Sequence, residues 1–267
     1  MRTLLNLAVN AFRETVRDKI LYNLVFFGLG LIAFSLLLGE WSMFAREKVI
    51  KDFTLAVMSV FGLFMAIFVG IGLIQKEIQR KTVLTLLARP FPRWKFLVGK
   101  YLGLLAVLWV NVAVMTLFFY GILWYTDSHP TLSLLKAIYL VYLEMAVIVA
   151  VALMFSSFST PVLSALFTFG VYLAGHLSGD ILGHLDFLRR YAKQLPGIPD
   201  VPEWTLKTIK AAYYLIPNLE NFNIRGRVVY DLALGDHYLL KTTIYGFWLI
   251  ALYLGASCLI FRKRDFI

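Results

Sequence analysis

The stretch from Gln75 to Lys100 is rich in basic side chains and lies between two long apolar segments. It holds a single acid, Glu77. Its seven basic residues are Lys76, Arg80, Lys81, Arg89, Arg93, Lys95 and Lys100. Ammonium and guanidinium groups grouped in this way pair with an acidic protein surface or with anionic lipid headgroups. The residue types therefore indicate recognition of a charged surface.

The middle of the same stretch predicts a short helix held outside the bilayer. A membrane-spanning helix needs about 20 predominantly apolar residues, and no part of this stretch is that long and apolar. Val83, Leu84 and Leu87 would form an apolar ridge on one helix face. Glu77 lies four residues before Lys81, the favourable order for an ion pair along a helix. The ridge must be buried against something, so a partner surface or the bilayer is expected to cover it.

Glu144 is the one acid well inside an apolar segment. A charge at the centre of a membrane helix costs roughly 2.5–3.5 kcal/mol on insertion scales, so such a residue faces protein or water. Two interpretations are open. Glu144 acts in translocation, or it pairs helices, in its protonated form or bonded to the nearby Tyr139 or Tyr142.

Other patterns that could support catalysis or ligand binding are incomplete. The pair Gly99-Lys100 is followed by Tyr101 and lacks the first glycine of a phosphate-binding loop, so ATP hydrolysis would have to come from another polypeptide. Cys258 is the only cysteine in the sequence, so a disulfide framework or a thiolate metal site is excluded. A polar group (His176, Asp180, His184, Asp186) offers nitrogen and oxygen ligands, but its spacing matches no metal template. The chain is therefore predicted not to be an enzyme and to hold no metal or cofactor.

The composition is that of an integral membrane protein. The 267 residues are 60% hydrophobic and 16% charged, with a mean hydropathy of +0.75, whereas a soluble domain has about 25% charged residues. Six apolar segments are predicted to span the membrane as helices. They are residues 21–39, 53–74, 101–124, 134–155, 162–178 and 241–261.

The remaining segments complete a single all-α domain over residues 1–267. Residues 1–20 are predicted to form an amphipathic helix lying along the bilayer surface. Its apolar stripe consists of Leu5, Val9, Phe12, Val16 and Ile20. Residues 179–240 combine amphipathic helices with a break rich in Pro and Gly, which predicts an extracytoplasmic cap between the fifth and sixth spans.

The distribution of basic residues predicts the orientation. With six spans both termini share one side with segment 75–100, and that side holds 14 of the 26 Lys/Arg but four of the 16 Asp/Glu. Because Lys and Arg are enriched in cytoplasmic loops, this side is predicted to be cytoplasmic, in a cytoplasmic (inner) membrane. Topology thus explains the net charge of +10, and no nucleic-acid partner is needed.

The segment after the second span resembles the signature of ABC-2-type transporter permeases, and more closely the group of multi-copper-enzyme-maturation permeases. The matching residues are Glu77, Thr82, Leu86-Leu87, Arg89-Pro90, Arg93 and Gly99-Lys100. Lys81 stands where the family often has Gly. The opening sequence Phe12–Lys19, the turn Ser156–Pro161 and the tripeptide Pro217-Asn218-Leu219 also lie where the family has similar residues.

The resemblance implies that residues 75–100 form a coupling region, whose short helix is seated in a groove of a cytoplasmic ATPase. The implied coupling residues are Glu77, Arg80, Lys81, Thr82, Val83, Leu84, Leu87, Arg89 and Arg93. A second ATPase contact is expected from Arg13, Glu14 and Arg17, unless these residues meet lipid headgroups. The alternative for the coupling segment is an interfacial anchor, in which aromatic and basic side chains contact the bilayer.

The function implied by the resemblance is that of the permease subunit of an ATP-binding cassette exporter. Two copies of a separate ATPase subunit would bind ATP and Mg, and a second permease copy, in a homodimer, would complete the pore within the lipid bilayer. Two alternatives remain. One is a membrane scaffold that transmits ATPase work to extracytoplasmic maturation, and the other is a secondary transporter using Glu144.

Overall fold

The protein is mostly helical in the residues that a computed structural model describes, which are 2–42, 45–79, 93–128, 131–192, 204, 216–235 and 237–263. These ranges contain eight α-helices and one short 3-10 turn, Glu220–Phe222, and no strand. The helices are α1 Arg2–Val16, α2 Lys19–Trp41, α3 Arg46–Gln79, α4 Arg93–Tyr125, α5 Leu132–Ser156, α6 Pro161–Ala192, α7 Arg225–Val229 and α8 Tyr238–Lys263. The predicted all-α class is confirmed for this part of the chain.

Five of these helices are long and apolar enough to cross a membrane: α2, α3, α4, α5 and α8. They overlap five of the six predicted spans. The predicted fifth span, 162–178, falls in α6, whose apolar part Pro161–Leu177 is shorter than the other five. That helix continues without a break to Ala192. A sixth crossing therefore stays a prediction.

Helix α3 begins earlier than the hydropathy of its sequence predicts. The apolar segment was expected from residue 53, but the helix starts at Arg46 and has 34 residues. At a rise of 1.5 Å per residue it is about 51 Å long, compared with about 30 Å for the hydrocarbon core of a bilayer. Its charged first turns are stabilised by an ion pair between Lys51 and Glu47, four residues apart. Helix α3 is therefore long enough to reach beyond both faces of the hydrocarbon core.

The core of the larger compact unit is built around α5. This unit comprises residues 1–168 and 222–267. Helix α5 packs against α3, α4, α7 and α8, and 17 of its 25 residues are buried. Its sequence is apolar all round, which is the pattern of a helix enclosed by others. A Cβ on Gly70 of α3 would lie 3.4 Å from the Cβ of Ala152, so small residues set the spacing of α3 and α5.

The second compact unit comprises residues 169–221. Within it, the backbone N–H of Leu219 donates to the carbonyl oxygen of Gly175 at 3.2 Å. A Cβ on Gly175 would lie 2.7 Å from the carbonyl oxygen of Pro217. The tripeptide Pro217-Asn218-Leu219 therefore contacts α6 at a position where a side chain would interfere.

Candidate functional site

Helix α1 packs tightly against the first turns of α4. Gly99 and Gly103 lie four residues apart and so occupy one face of α4. A Cβ on Gly103 would lie 2.5 Å from the Cβ of Ala11 and 2.6 Å from the carbonyl oxygen of Ala8. A Cβ on Gly99 would lie 2.7 Å from the Cβ of Leu7. The two helix backbones approach this closely because α4 presents no side chain at either glycine.

An ion pair reinforces this contact. Lys100 Nζ lies 3.3 Å from Glu14 Oε2, and the lysine side chain is 1% exposed. The ammonium group also lies 5.8 Å from the centroid of the Phe96 ring. A buried ammonium needs an anionic partner to offset its desolvation, and Glu14 supplies it. Lys100 is thus enclosed within the protein, and it does not add to the basic surface that the sequence predicts around it.

The face of α1 that meets α4 differs from the apolar stripe predicted from periodicity. Ala11 is fully buried and Thr15 nearly so, whereas Leu5 is 66% and Val9 41% exposed. Small residues occupy the contact with α4 because the two glycines bring the backbones together. The larger apolar residues Leu5 and Val9 remain outside the protein, where an interfacial helix contacts lipid. Arg13 and Arg17 are also exposed.

The structure describes both ends of the predicted coupling segment. Glu77 belongs to the last turn of α3, and Arg93 is the first residue of α4. Only the backbone of these two residues is described. The other predicted coupling residues lie outside the described residues, namely Arg80, Lys81, Thr82, Val83, Leu84, Leu87 and Arg89. Their role stays a prediction, but the helices that enter and leave the segment are defined.

Gln75, the first residue of the predicted coupling region, was not identified from the sequence as a candidate site residue. Its side chain is buried near the end of α3. Its amide nitrogen donates to the carbonyl oxygen of Ser159 at 3.0 Å and to that of Ser156 at 3.5 Å. Both acceptors lie in the turn between α5 and α6. The end of α3 is therefore hydrogen-bonded to a segment more than 80 residues further along the chain.

The same turn is bonded to α8. The hydroxyl oxygens of Ser157 and Ser257 lie 2.7 Å apart, and they lie 2.8 and 3.3 Å from the carbonyl oxygen of Leu153, so one hydroxyl donates to the other and the second donates to this carbonyl group. We call this group the inner polar cluster; its residues are Gln75, Ser156, Ser157, Ser159 and Ser257. The serine-rich turn and the lone glutamine at the end of an apolar helix were the sequence signals for it.

Glu144 lies at the centre of α5 and is 2% exposed, as expected for an acid that faces protein. The neighbouring tyrosines join α5 to other helices. Tyr142 donates to the carbonyl oxygen of Leu105 in α4 at 3.3 Å. The hydroxyl oxygens of Tyr139 and Thr243 of α8 lie 3.1 Å apart. Polar side chains in this part of α5 thus take part in helix pairing.

Among the described residues, no group of three His, Cys, Asp or Glu side chains is placed to hold a metal ion. Of the polar residues considered from the sequence, His176 lies against Tyr172, with ring centroids 4.6 Å apart. The side chains of Asp180, His184 and Asp186 lie outside the described residues.

The helices long enough to cross a bilayer, together with an amphipathic helix fixed to the base of α4, define a multi-pass membrane protein. The family model described as ABC-2 family transporter protein matches residues 5–266, and the chain belongs to this family. The resemblance to ABC-2-type permeases seen in the sequence is thereby confirmed, and the chain is a permease component of an ABC transporter. No curated protein matches the chain significantly.

Proposed function

We propose that the chain is the transmembrane subunit of an ABC exporter whose coupling segment, residues 77–93, binds a separate cytoplasmic ATPase. The main support for this proposal is the attachment of α1 to the start of α4. Arg93 and Gly99 are six residues apart in one helix, or about 9 Å along its axis. Glu14 and Lys100 then hold α1 against that helix. The two regions proposed to contact the ATPase therefore belong to one connected unit.

This connection assigns different roles to the residues of α1. Arg13 and Arg17 are exposed and remain available to an acidic rim on the ATPase. Glu14 is bonded to Lys100 and positions α1. A displacement of the coupling segment would then move α1 together with α4, because an ion pair and a close backbone contact join them.

In the proposed cycle, ATP and Mg bind to two copies of the ATPase subunit. Closure of the ATPase pair displaces the coupling segments of two permease copies, which form a homodimer. Each segment lies between the end of α3 and the start of α4, so both helices move with it. The movement rocks the two permease copies between closed and open arrangements and releases the substrate on the extracytoplasmic side.

The proposed location is the cytoplasmic membrane, with both termini and the coupling segment in the cytoplasm and α6 as the sixth crossing. This orientation is supported by the excess of Lys and Arg at the termini and in segment 75–100. The long extracytoplasmic segment then precedes α8.

The test is co-purification of the ATPase with charge-reversal variants of the coupling segment. The double variant Arg89→Glu with Arg93→Glu is expected to reduce the amount of bound ATPase at least tenfold. The matched control is Lys136→Glu, an exposed charge in the first turns of α5 that lies on the opposite side in the proposed topology. Normal ATPase binding by the double variant, with unchanged ATP hydrolysis, would rule out the coupling role of these residues.

A further inference from the structure

The inner polar cluster lies next to the coupling segment in sequence. Gln75 is two residues before Glu77, and its side chain reaches the turn that connects α5 to α6. From that turn, Ser157 contacts Ser257 in α8. The turn is thus hydrogen-bonded to the end of α3 on one side and to α8 on the other. All of these residues belong to the larger compact unit.

The chemistry of the turn explains why a glutamine is suited to this position. The last carbonyl groups of a helix have no intrahelical donor and need another source. Gln75 supplies a buried amide N–H group to Ser156, which is also buried, and to Ser159, which is half-buried. An unsatisfied buried carbonyl costs about 1–3 kcal/mol. The amide is neutral, so it satisfies these oxygens without bringing a charge into the apolar interior.

The hydrogen bonds of Gln75 define the position of the end of α3 relative to the turn between α5 and α6. Near Gln75, α3 meets α5 through small residues, with Gly70 facing Ala152. The bonds from Gln75 to Ser156 and Ser159 depend on distance and angle. They therefore hold the end of α3 in register with the turn.

We propose that Gln75 is a positioning residue that transmits displacement of the coupling segment to the turn between α5 and α6, and through Ser157 and Ser257 to α8. The inference rests on the proposed function, because the displacement originates in the ATPase. Without Gln75, the coupling segment would still respond to nucleotide, but the response would not reach the turn.

The experiment compares amide hydrogen exchange in the purified permease–ATPase complex with and without ATP, Mg and vanadate. Two peptides are followed, one covering residues 77–92 and one covering 156–161. In the wild-type complex both peptides are expected to change exchange rate on nucleotide binding. In Gln75→Met, which keeps a similar side-chain volume but has no donor, the change in 77–92 is expected to persist, and that in 156–161 to fall by at least half.

The control variant is Asn111→Leu. Asn111 is also a buried amide, but its side chain donates to the carbonyl oxygen of Val107 within α4 at 2.8 Å. Asn111→Leu therefore removes a buried hydrogen bond that lies within one helix and does not join two helices. Both peptides are expected to respond to nucleotide as in the wild type. Loss of the 156–161 response in this control would mean that general destabilisation abolishes it, and would overturn the assignment to Gln75.

The outcomes separate this inference from the proposed function. A full response of 156–161 in Gln75→Met overturns the positioning role and leaves the ATPase coupling intact. The positioning role is likewise overturned if, in the wild-type complex, peptide 77–92 responds to nucleotide and peptide 156–161 does not. A wild-type complex in which 77–92 itself does not respond contradicts the proposed function, and the inference fails with it.

A second variant covers the case in which Gln75→Met does not assemble. Ser257→Ala removes one hydroxyl from the link to α8 and leaves the bonds of Gln75 in place. In the wild-type complex, nucleotide is also expected to change exchange in residues 258–263, at the end of α8. In Ser257→Ala the change in 156–161 is expected to remain as in the wild type, while the change in 258–263 is lost. An unchanged response in 258–263 would overturn the proposed path.

Discussion

Glu14 Oε2 lies 3.3 Å from Lys100 Nζ, and this ion pair joins the N-terminal helix to the first turns of α4. The two partners differ in environment, since the lysine side chain is 1% and the glutamate 30% exposed. Removing the carboxylate is therefore expected to cost more than removing both charges. In Glu14→Ala a buried ammonium would lose its carboxylate partner, whereas the double variant with Lys100→Met would bury an apolar chain.

We expect Glu14→Ala to destabilise the protein by about 1–3 kcal/mol, less than the 3–5 kcal/mol of fully enclosed pairs because Glu14 is partly hydrated. A change of 1 kcal/mol shifts the midpoint of thermal unfolding by about 2–4 °C for a chain approaching this size. Thermal unfolding in lipid nanodiscs measures the effect. The double variant is expected to recover most of the loss. Additive losses in the two single variants would show that the charges do not interact.

The close approach at Gly103 predicts that even a methyl group at this position is harmful. In Gly103→Ala the new Cβ would meet the backbone of α1 at Ala8, which cannot move aside as a flexible side chain can. We expect a loss of about 1–3 kcal/mol and a partial release of α1. Thr15→Cys reports the release, because Thr15 is buried in α1 and cysteine is close to threonine in size. This cysteine should react faster with maleimide in the Gly103→Ala background, with Cys258 replaced by serine.

Gly121 provides the matched control for that prediction. It lies in the same helix, and a Cβ there meets no atom within 4 Å. Alanine has a higher helix propensity than glycine by about 1 kcal/mol, so Gly121→Ala should be neutral or stabilising. Equal effects of the two substitutions would show that glycine flexibility, and not the contact with α1, determines the result.

The sequence predicted the helical class and five of the long apolar helices because hydropathy records which segments avoid water. The predicted helix boundaries were less accurate where charged residues continue a helix beyond its apolar region. Helix α3 includes Glu47, Lys51 and Asp52, whose charges are matched by partners within the fold. A hydropathy pattern contains no information about such pairing.

The contact between α1 and α4 was not predicted because periodicity identifies large apolar residues, and this contact depends on small ones. Gly99 and Gly103 have the spacing at which helices approach closely in membranes. The pattern alone does not say which helix would face them. The inner polar cluster was missed for a related reason, since Gln75 and Ser257 both lie far in sequence from the turn at residues 156–159 and bond to it only after folding.

The proposed topology predicts which surface positions face the cytoplasm. Leu232 is 60% exposed and follows α7, and the proposed topology places it on the extracytoplasmic side. Arg17 is exposed directly after α1, and the same topology places it on the cytoplasmic side. In right-side-out membrane vesicles, a membrane-impermeant maleimide should label Leu232→Cys and should label Arg17→Cys only after permeabilisation, with Cys258 replaced by serine. The reverse pattern would place the coupling segment on the outer side and exclude ATPase binding there.

The ion pair between Asp52 and Arg225 is expected to contribute little to global stability. Arg225 Nε lies 2.9 Å from Asp52 Oδ1, but both side chains are substantially exposed, at 40% and 50%. Pairs of this kind contribute about 0.2–1 kcal/mol and are weakened by salt. Asp52→Asn should therefore lower the thermal midpoint by much less than Glu14→Ala does. A larger loss that persists in high salt would show that the pair is more enclosed in the assembled transporter.

Glu144 distinguishes the proposed ATP-driven function from secondary transport. Its side chain is enclosed in the most buried helix, among tyrosines that link α5 to α4 and α8. Glutamine keeps the size and hydrogen-bonding capacity of this side chain but has no proton to exchange. If Glu144 pairs helices, Glu144→Gln should assemble with the ATPase and sustain transport. Its rate of ATP hydrolysis should lie within about twofold of the wild type, a factor that corresponds to less than about 1 kcal/mol. If the chain is a secondary transporter, transport by the wild type should continue without the ATPase, should respond to a proton gradient, and should be abolished in Glu144→Gln.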